Sequence, residues 1–396
     1  MTSGMMRWAA VMLCAAFATV CNAQRMSDDV RAQAEAMRDR AIEFLRQAQD
    51  DETGAWSLAG GGPEFPAITA LALNGMLLDP EIGADDDTVR AAVRYLLSNQ
   101  QPDGGIHAGI LPSYNTACSV SALSRVDTAE AREAVEKALP FLLKLQWGVE
   151  GGPTLEGETI DEDHPFFGGV GYGNSGRPDM SNLTLFLQAL EDAGYESDGE
   201  AVQRALVFLQ RTQMLDSVND MPYAEGSRQG GFVYSTSPNG EQIGVGESKA
   251  GEMIETLSDG TRASRLRSYG SMTYAGFKSL VYADLDAEDE RVAAAFDWLR
   301  AHYTLSENPE LGDDGYYYYI LVFGRALDAW DDDTLQVASD GGAAVERRWA
   351  EDLVQQLATL QQDDGSFRPV ARRWLEYDPV LITAYTLISL GHALEE

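Results

Sequence analysis

Carboxylates are the groups through which this sequence could do chemistry: 63 Asp and Glu stand against 29 Lys and Arg and 4 His in 396 residues. Acids catalyse in pairs or beside a base, so spacing matters more than number. The run Asp161-Glu162-Asp163-His164 offers oxygen and imidazole ligands to a metal, but acids in a Gly-rich loop are usually just solvated, and no metal is expected. Asp85-Asp86-Asp87-Thr88 and Asp331-Asp332-Asp333-Thr334 read as solvated turns or helix caps. His107, His302 and His392 lack ligand spacing, and Cys118 lies in an apolar segment, where a small buried residue belongs. No Gly-x-Ser-x-Gly elbow, phosphate loop or dinucleotide fingerprint occurs, and no cofactor is expected. Asp179 and Asp314 remain as weak catalytic candidates, each a single acid where a periodic segment begins.

The charge of -34 argues against nucleic acid or anionic membrane as a partner, since either needs a basic face to displace counterions. Residues 1–23 have the grammar of a signal peptide: Arg7, the apolar run Trp8 to Val20, then Cys-Asn-Ala. Cleavage near Ala23 would leave residues 24–396 as one exported domain, periplasmic or secreted, without a membrane anchor. Cys14 and Cys21 would leave with the leader, so Cys118 stands alone and no disulfide is expected.

The elements that must position these acids repeat. Arg40-Ala41, Phe44-Leu45, Gln49 and Gly54-Ala55-Trp56 form the fullest copy of a unit. Its first half returns as Lys137-Ala138, Phe141-Leu142, Gln146 and as Arg204-Ala205, Phe208-Leu209, Gln213. Arg90-Ala91, Tyr95-Leu96, Gln100 carries one extra residue; Trp298-Leu299 with Tyr303, and Leu357 with Gln361, are degenerate copies. After each copy comes a loop and a second apolar segment: Pro66 to Leu77, Tyr114 to Leu123, Met180 to Leu190, Tyr269 to Leu280, Tyr316 to Leu327 and Pro379 to Leu390. The first segment of each pair is amphipathic and the second almost free of charge, as outer and fully buried helices should be. The pattern predicts an all-α protein, an (α/α)6 toroid of six outer and six inner helices. Insertions near 148–179 and 215–268 should lie at its mouth, where they could form a lid.

These copies resemble the Gln-Trp repeat of squalene cyclases and of prenyltransferase beta subunits, whose fold is an α/α toroid. Gly168-Gly169-Val170-Gly171-Tyr172, Arg177-Pro178-Asp179-Met180-Ser181-Asn182 and Gly230-Gly231-Phe232 are also similar to that family. The resemblance implies a structural repeat Gln, tying each outer helix to the following loop and helix terminus. It also implies chemistries whose residues are largely missing. The cyclase motif Asp-x-Asp-Asp-Thr-Ala keeps only its Thr at Thr69, Thr116, Thr273 and Thr383, and its first Asp at Asp179, with Ser181 and Asn182 in place of the acid pair. Of the zinc ligands of prenyltransferases, Asp314 is kept, while Tyr316 and Ile382 replace the Cys and His; Asn308 and Leu311 replace the diphosphate-binding cations.

The inner-helix N-termini should meet at the ring mouth, with Glu64, Asn115, Asp179, Asn182, Tyr269, Asp314, Tyr316, Tyr317, Tyr319, Tyr377 and Asp378 as first residues. Two readings fit them. In one, the acids cap helices and the tyrosines fill the centre. In the other, Asn115, Asn182, Tyr269, Tyr316, Tyr317, Tyr319 and Asp378 line a cavity for an apolar, isoprenoid-like or sugar ligand. Arg262, Arg265 and Arg267 would meet an anion or neutralise acids such as Glu252 and Glu255. The function expected is ligand binding or scaffolding. The alternatives are an isoprenoid enzyme with a non-standard acid, Asp314 or Asp179, or a carbohydrate-active (α/α)6 enzyme with paired carboxylates.

Overall fold

The alternation of amphipathic and apolar segments becomes an alternation of outer and inner helices. The computed structural model describes residues 25–58, 65–173, 176–338 and 343–395; the leader and Glu64 lie outside them. The outer helices are α1 (Asp28–Ala48), α3 (Asp87–Ser98), α5 (Ala129–Lys144), α7 (Glu200–Thr212), α9 (Glu290–Ala301) and α11 (Trp349–Ala358). The inner ones are α2 (Pro66–Met76), α4 (Pro112–Ser124), α6 (Met180–Asp192), α8 (Gly270–Tyr282), α10 (Tyr316–Trp330) and α12 (Pro379–Leu394). Each inner helix packs on the next, and α12 packs back on α2, closing an (α/α)6 toroid. Every residue of α2 is buried, as its lack of charge requires. No helix among the described residues is long and apolar enough to cross a membrane.

The repeat Gln locks neighbouring pairs together. Gln49 donates to the carbonyls of Gly54 and Thr88, Gln100 to Gly104 and Ala134, and Gln146 to Gly168 and Ala201. Gln213 donates to Gly230 and Arg291, and Gln361 to Gly365 and Met37, which joins the last pair to the first. In each case one carbonyl is in the segment that follows, a loop or, for Gly230, strand β2 (Arg228–Phe232), and the other is in the next outer helix. At the sixth seam Tyr303 substitutes, its hydroxyl donating to Asp352 at 2.8 Å. The loop residue must be Gly. At Gly168, φ is +78° and a Cβ would stand 1.8 Å from the Arg204 carbonyl oxygen. Arg204 is itself the first residue of the repeat, so the motif marks where one copy's loop touches the next copy's helix.

The retained Thr residues have a structural task as well. Thr69, Thr116 and Thr273 accept the backbone N–H of Trp56, Ile106 and Phe232, pinning loop to inner helix. Three antiparallel hairpins decorate the ring: β1 (Gln213–Leu215) with β2 (Arg228–Phe232), β3 (Glu252–Thr256) with β4 (Arg262–Leu266), and β5 (Thr334–Val337) with β6 (Val345–Arg348). The acidic runs serve as turns and caps: Asp86 caps α3 through the N–H groups of Thr88 and Val89, and Asp332 accepts from Thr334 in the turn before β5.

Candidate ligand cavity at the ring mouth

A helix N-terminus leaves N–H groups unpaired, and here side chains from the rim fill that need at nearly every inner helix. Asp179 caps α6 by accepting the Asn182 N–H at 3.0 Å, and its other oxygen takes the Asn182 amide at 2.9 Å. Asp378 caps α12 through Val380 and Leu381. Asn115 accepts the Ala67 N–H at the start of α2 and donates to the Ile110 and Leu111 carbonyls. Asn308 does the same for α8, accepting from Ser271 and donating to the Asp314 carbonyl. For α10 the cap is not Asp314. Gly315, at φ +66°, turns the chain there, and Asp314 pairs with Arg373 at 2.9 Å on the surface. Glu376 reaches across instead and accepts the N–H groups of Tyr317 and Tyr318.

Between these caps lies a cavity of about 310 Å³. Its walls are mostly aromatic and aliphatic: Tyr114 and Tyr385, Tyr172 and Tyr234, Tyr269 and Tyr318, with Phe65, Ile68, Leu111, Leu185, Met272 and Leu381 between them, Ser181 and Ser271 beside them, and Trp374 and Leu375 at the rim. Both insertions contribute, the first through Tyr172 and the second through Tyr234 and Lys249. Lys249 lies 4.3 Å from the Tyr234 ring centre and pairs with Glu247, which also pairs with Arg177. Lys249 and Glu376 are the charged side chains among the described lining residues.

The rim is strained. Leu111, Trp374 and Leu375 have φ of 44°, 54° and 68°, and all three line the cavity. Non-glycine residues held there cost roughly 1–3 kcal/mol each and collect at functional sites. Trp374, Leu375 and Tyr172 of the lining are also partly exposed, so aromatic and aliphatic surface reaches solvent at the opening.

Of the residues expected to face a ligand, Tyr269 lines the cavity. Tyr316, Tyr317 and Tyr319 turn away from it, their hydroxyls donating to the carbonyls of Leu305, Arg368 and Thr304. Asn115, Asn182 and Asp378 are buried in the capping contacts. Tyr318 and Glu376, which the sequence reading omitted, line the cavity instead. Arg325 could have pointed to Tyr318: it is a lone cation midway along an apolar helix, and residues 318, 321, 322 and 325 share one helical face.

Burial sets the acidity of the carboxyls. It raises the Glu376 carboxyl to about 7, against the three backbone N–H groups of Tyr316 to Tyr318 that favour its anion, with Asp314 adding repulsion. Burial also raises Asp179, despite the Asn182 contacts and nearby Arg177. Both shifts weaken the acid, the wrong direction for protonating an alkene. Cys118 is pushed up to about 12 by burial, which leaves an unreactive thiol.

Elsewhere, His164 is bonded to Glu158 and to the Phe166 N–H within the run read for metal binding. The described residues with metal-like grouping are instead Asp328, His392 and Glu395, brought together from two inner helices and the chain end. Asp328 there also accepts Arg25 at 2.7 Å. Arg267 pairs with Glu310, and Arg265 donates to the Glu225 carbonyl.

Comparison with known proteins agrees with the fold. No family model and no curated protein matches the sequence. The α-1,6-mannanase of Salegentibacter sp., in an inactive variant bound to α-1,6-mannotriose, is similar at TM-score 0.54 and 12% identity, over 93% of this chain and 100% of that one. A D-mannose isomerase matches at TM-score 0.55 and 12% identity, over 93% and 98%. The type II terpene cyclase MstE from Scytonema covers 92% and 99% at 14% identity, with TM-score 0.36. The likeness to the mannanase and the isomerase is one of fold, an (α/α)6 toroid.

Proposed function

We propose that this chain is an exported binding protein that holds an apolar, isoprenoid-like molecule in the mouth cavity. The observation that carries this reading is the cavity wall, predominantly aromatic and aliphatic, with Ser181 and Ser271 as small polar residues and Lys249 and Glu376 as the described charges on it. Some 300 Å³ is at the lower end of small-molecule sites, and burial of apolar surface at ~25 cal/mol per Å² would drive binding. Glycoside hydrolysis needs two carboxylates flanking the bond. Glu376 is the carboxylate among the described lining residues, and both its oxygens are committed to backbone N–H groups. Asp179 and Asp314 read as a cap and a surface ion pair rather than as catalysts. Export rests on the leader-like residues 1–23.

The test is titration of the purified protein with farnesol and with α-1,6-mannotriose, alongside mass spectrometry of a solvent extract. Saturable farnesol binding that is lost in Met272→Trp, which fills the cavity, is the expected result. Saturable binding of mannotriose without farnesol would overturn the reading in favour of a carbohydrate site.

A further inference from the structure

Below the mouth cavity, between α6, α8 and α10, lies a second space of about 20 Å³ lined by Thr184, Gln188, Lys278 and Arg325. Leu185 and Tyr318 wall both spaces, so one is the floor of the other. Arg325 is 7% exposed, yet its guanidinium makes no hydrogen bond or ion pair among the described residues, and its Nε is buried without a partner. A buried guanidinium in that state is costly, and proteins seldom leave one so. The Gln188 Oε1 is unpartnered too, and the Tyr318 hydroxyl, near Ser181 and Thr184, reaches good hydrogen-bond geometry with neither.

Asp192 and Arg125 are charged groups near it; Asp192 accepts from Gln188 through one oxygen while its other oxygen is buried without a partner, and Lys278 is paired with Glu191. At the mouth, Asn115, Asp179, Asn308, Glu376 and Asp378 occupy helix N-termini, and the lining cation Lys249 is already paired with Glu247.

We infer that Arg325 is the binding site for a carboxylate at the cavity floor, and that the ligand is an apolar molecule with a carboxylate end. The ligand part rests on the binding function proposed above; the anion site does not. A space this small admits one or two water-sized groups, which suits a carboxylate and not a phosphate. The head would displace water from Arg325 by passing Tyr318, and the tail would fill the aromatic space above. The same carboxylate chemistry could come from a small free anion, and the experiment separates the two.

Farnesoic acid, farnesol and sodium acetate are the probes, measured at pH 8 by calorimetry and thermal shift on the full chain. Farnesoate should bind at least tenfold more tightly than farnesol. Arg325→Gln should erase that preference and leave farnesol affinity unchanged, and Arg325→Lys should keep part of it. If Arg325→Gln does not fold, the acid-to-alcohol ratio in wild type and its several-fold drop in Arg325→Lys decide the matter. Equal affinities with no thermal response to acetate would overturn the site, as would an acid preference untouched in Arg325→Gln. Acetate protection of wild type but not of Arg325→Gln, with acid and alcohol bound alike, would keep the site and assign it to a free anion. If neither farnesol nor farnesoate binds, the proposed function falls, and the acetate response alone decides the site.

Discussion

Glu376 gives the sharpest prediction. Its carboxyl is 1% exposed, and burial lifts it from an ordinary 4.5 to about 7. A carboxyl that titrates higher in the folded chain than in the unfolded one binds more protons when folded. Its contribution to stability is complete below about pH 4.5 and is lost as the pH rises through about 7. At 1.36 kcal/mol per tenfold change in proton affinity, the loss is about 3 kcal/mol. For a folded chain of this length the unfolding entropy is roughly 0.8 kcal/mol/K, which converts that loss to a Tm change of about 4 °C. Glu376→Gln imitates the protonated acid and cannot ionise. Thermal unfolding of both proteins from pH 4.5 to 8 should show nearly equal Tm at the acid end and the wild type about 4 °C lower at the alkaline end. Parallel curves would refute the argument. A variant less stable at pH 8 would show that the N–H groups of Tyr317 and Tyr318 outweigh burial.

Three further outcomes follow from the same contacts. Gln146→Leu should cost about 2–4 kcal/mol in urea unfolding, because it leaves the buried carbonyls of Gly168 and Ala201 without their donor. Gly168→Ala should cost at least as much, since φ is +78° and the new Cβ would collide with the Arg204 carbonyl; wild-type urea stability in this variant would disprove the contact. His392 is buried, which opposes its charge, but contacts with Asp328 and Glu395 raise its pKa, with Arg25 on the far side of Asp328. That stabilisation is full below about pH 6.5 and fades as the pH rises through the raised folded value. His392→Gln should therefore lower Tm at pH 6 by more than at pH 9.

Most of the ring was legible. The apolar segment read from Pro66 becomes α2, the one read from Met180 becomes α6, and the repeat Gln performs the tie expected of it at Gln49, Gln100, Gln146, Gln213 and Gln361. These features are local or periodic, so a one-dimensional pattern carries them. The β5–β6 hairpin went unseen, because its alternation is short and its β6 residues are mostly charged.

By itself the sequence determined how many helices there would be, which face core and which face solvent, and where glycine must let one copy touch the next. Tertiary structure alone decided which side chains meet at the mouth. Asp314 begins its helix in sequence, yet the left-handed turn at Gly315 sends it outward, and Glu376, some sixty residues later, takes the cap. Tyr316, Tyr317 and Tyr319 differ from Tyr318 only by rotation around one helix, and that rotation is fixed by the packing of α8 and α12 on either side. Composition records how much acid and aromatic surface a chain carries. Whether a given carboxyl is solvated, capping or buried against a cavity depends on neighbours distant in sequence, and those are set only when the ring closes.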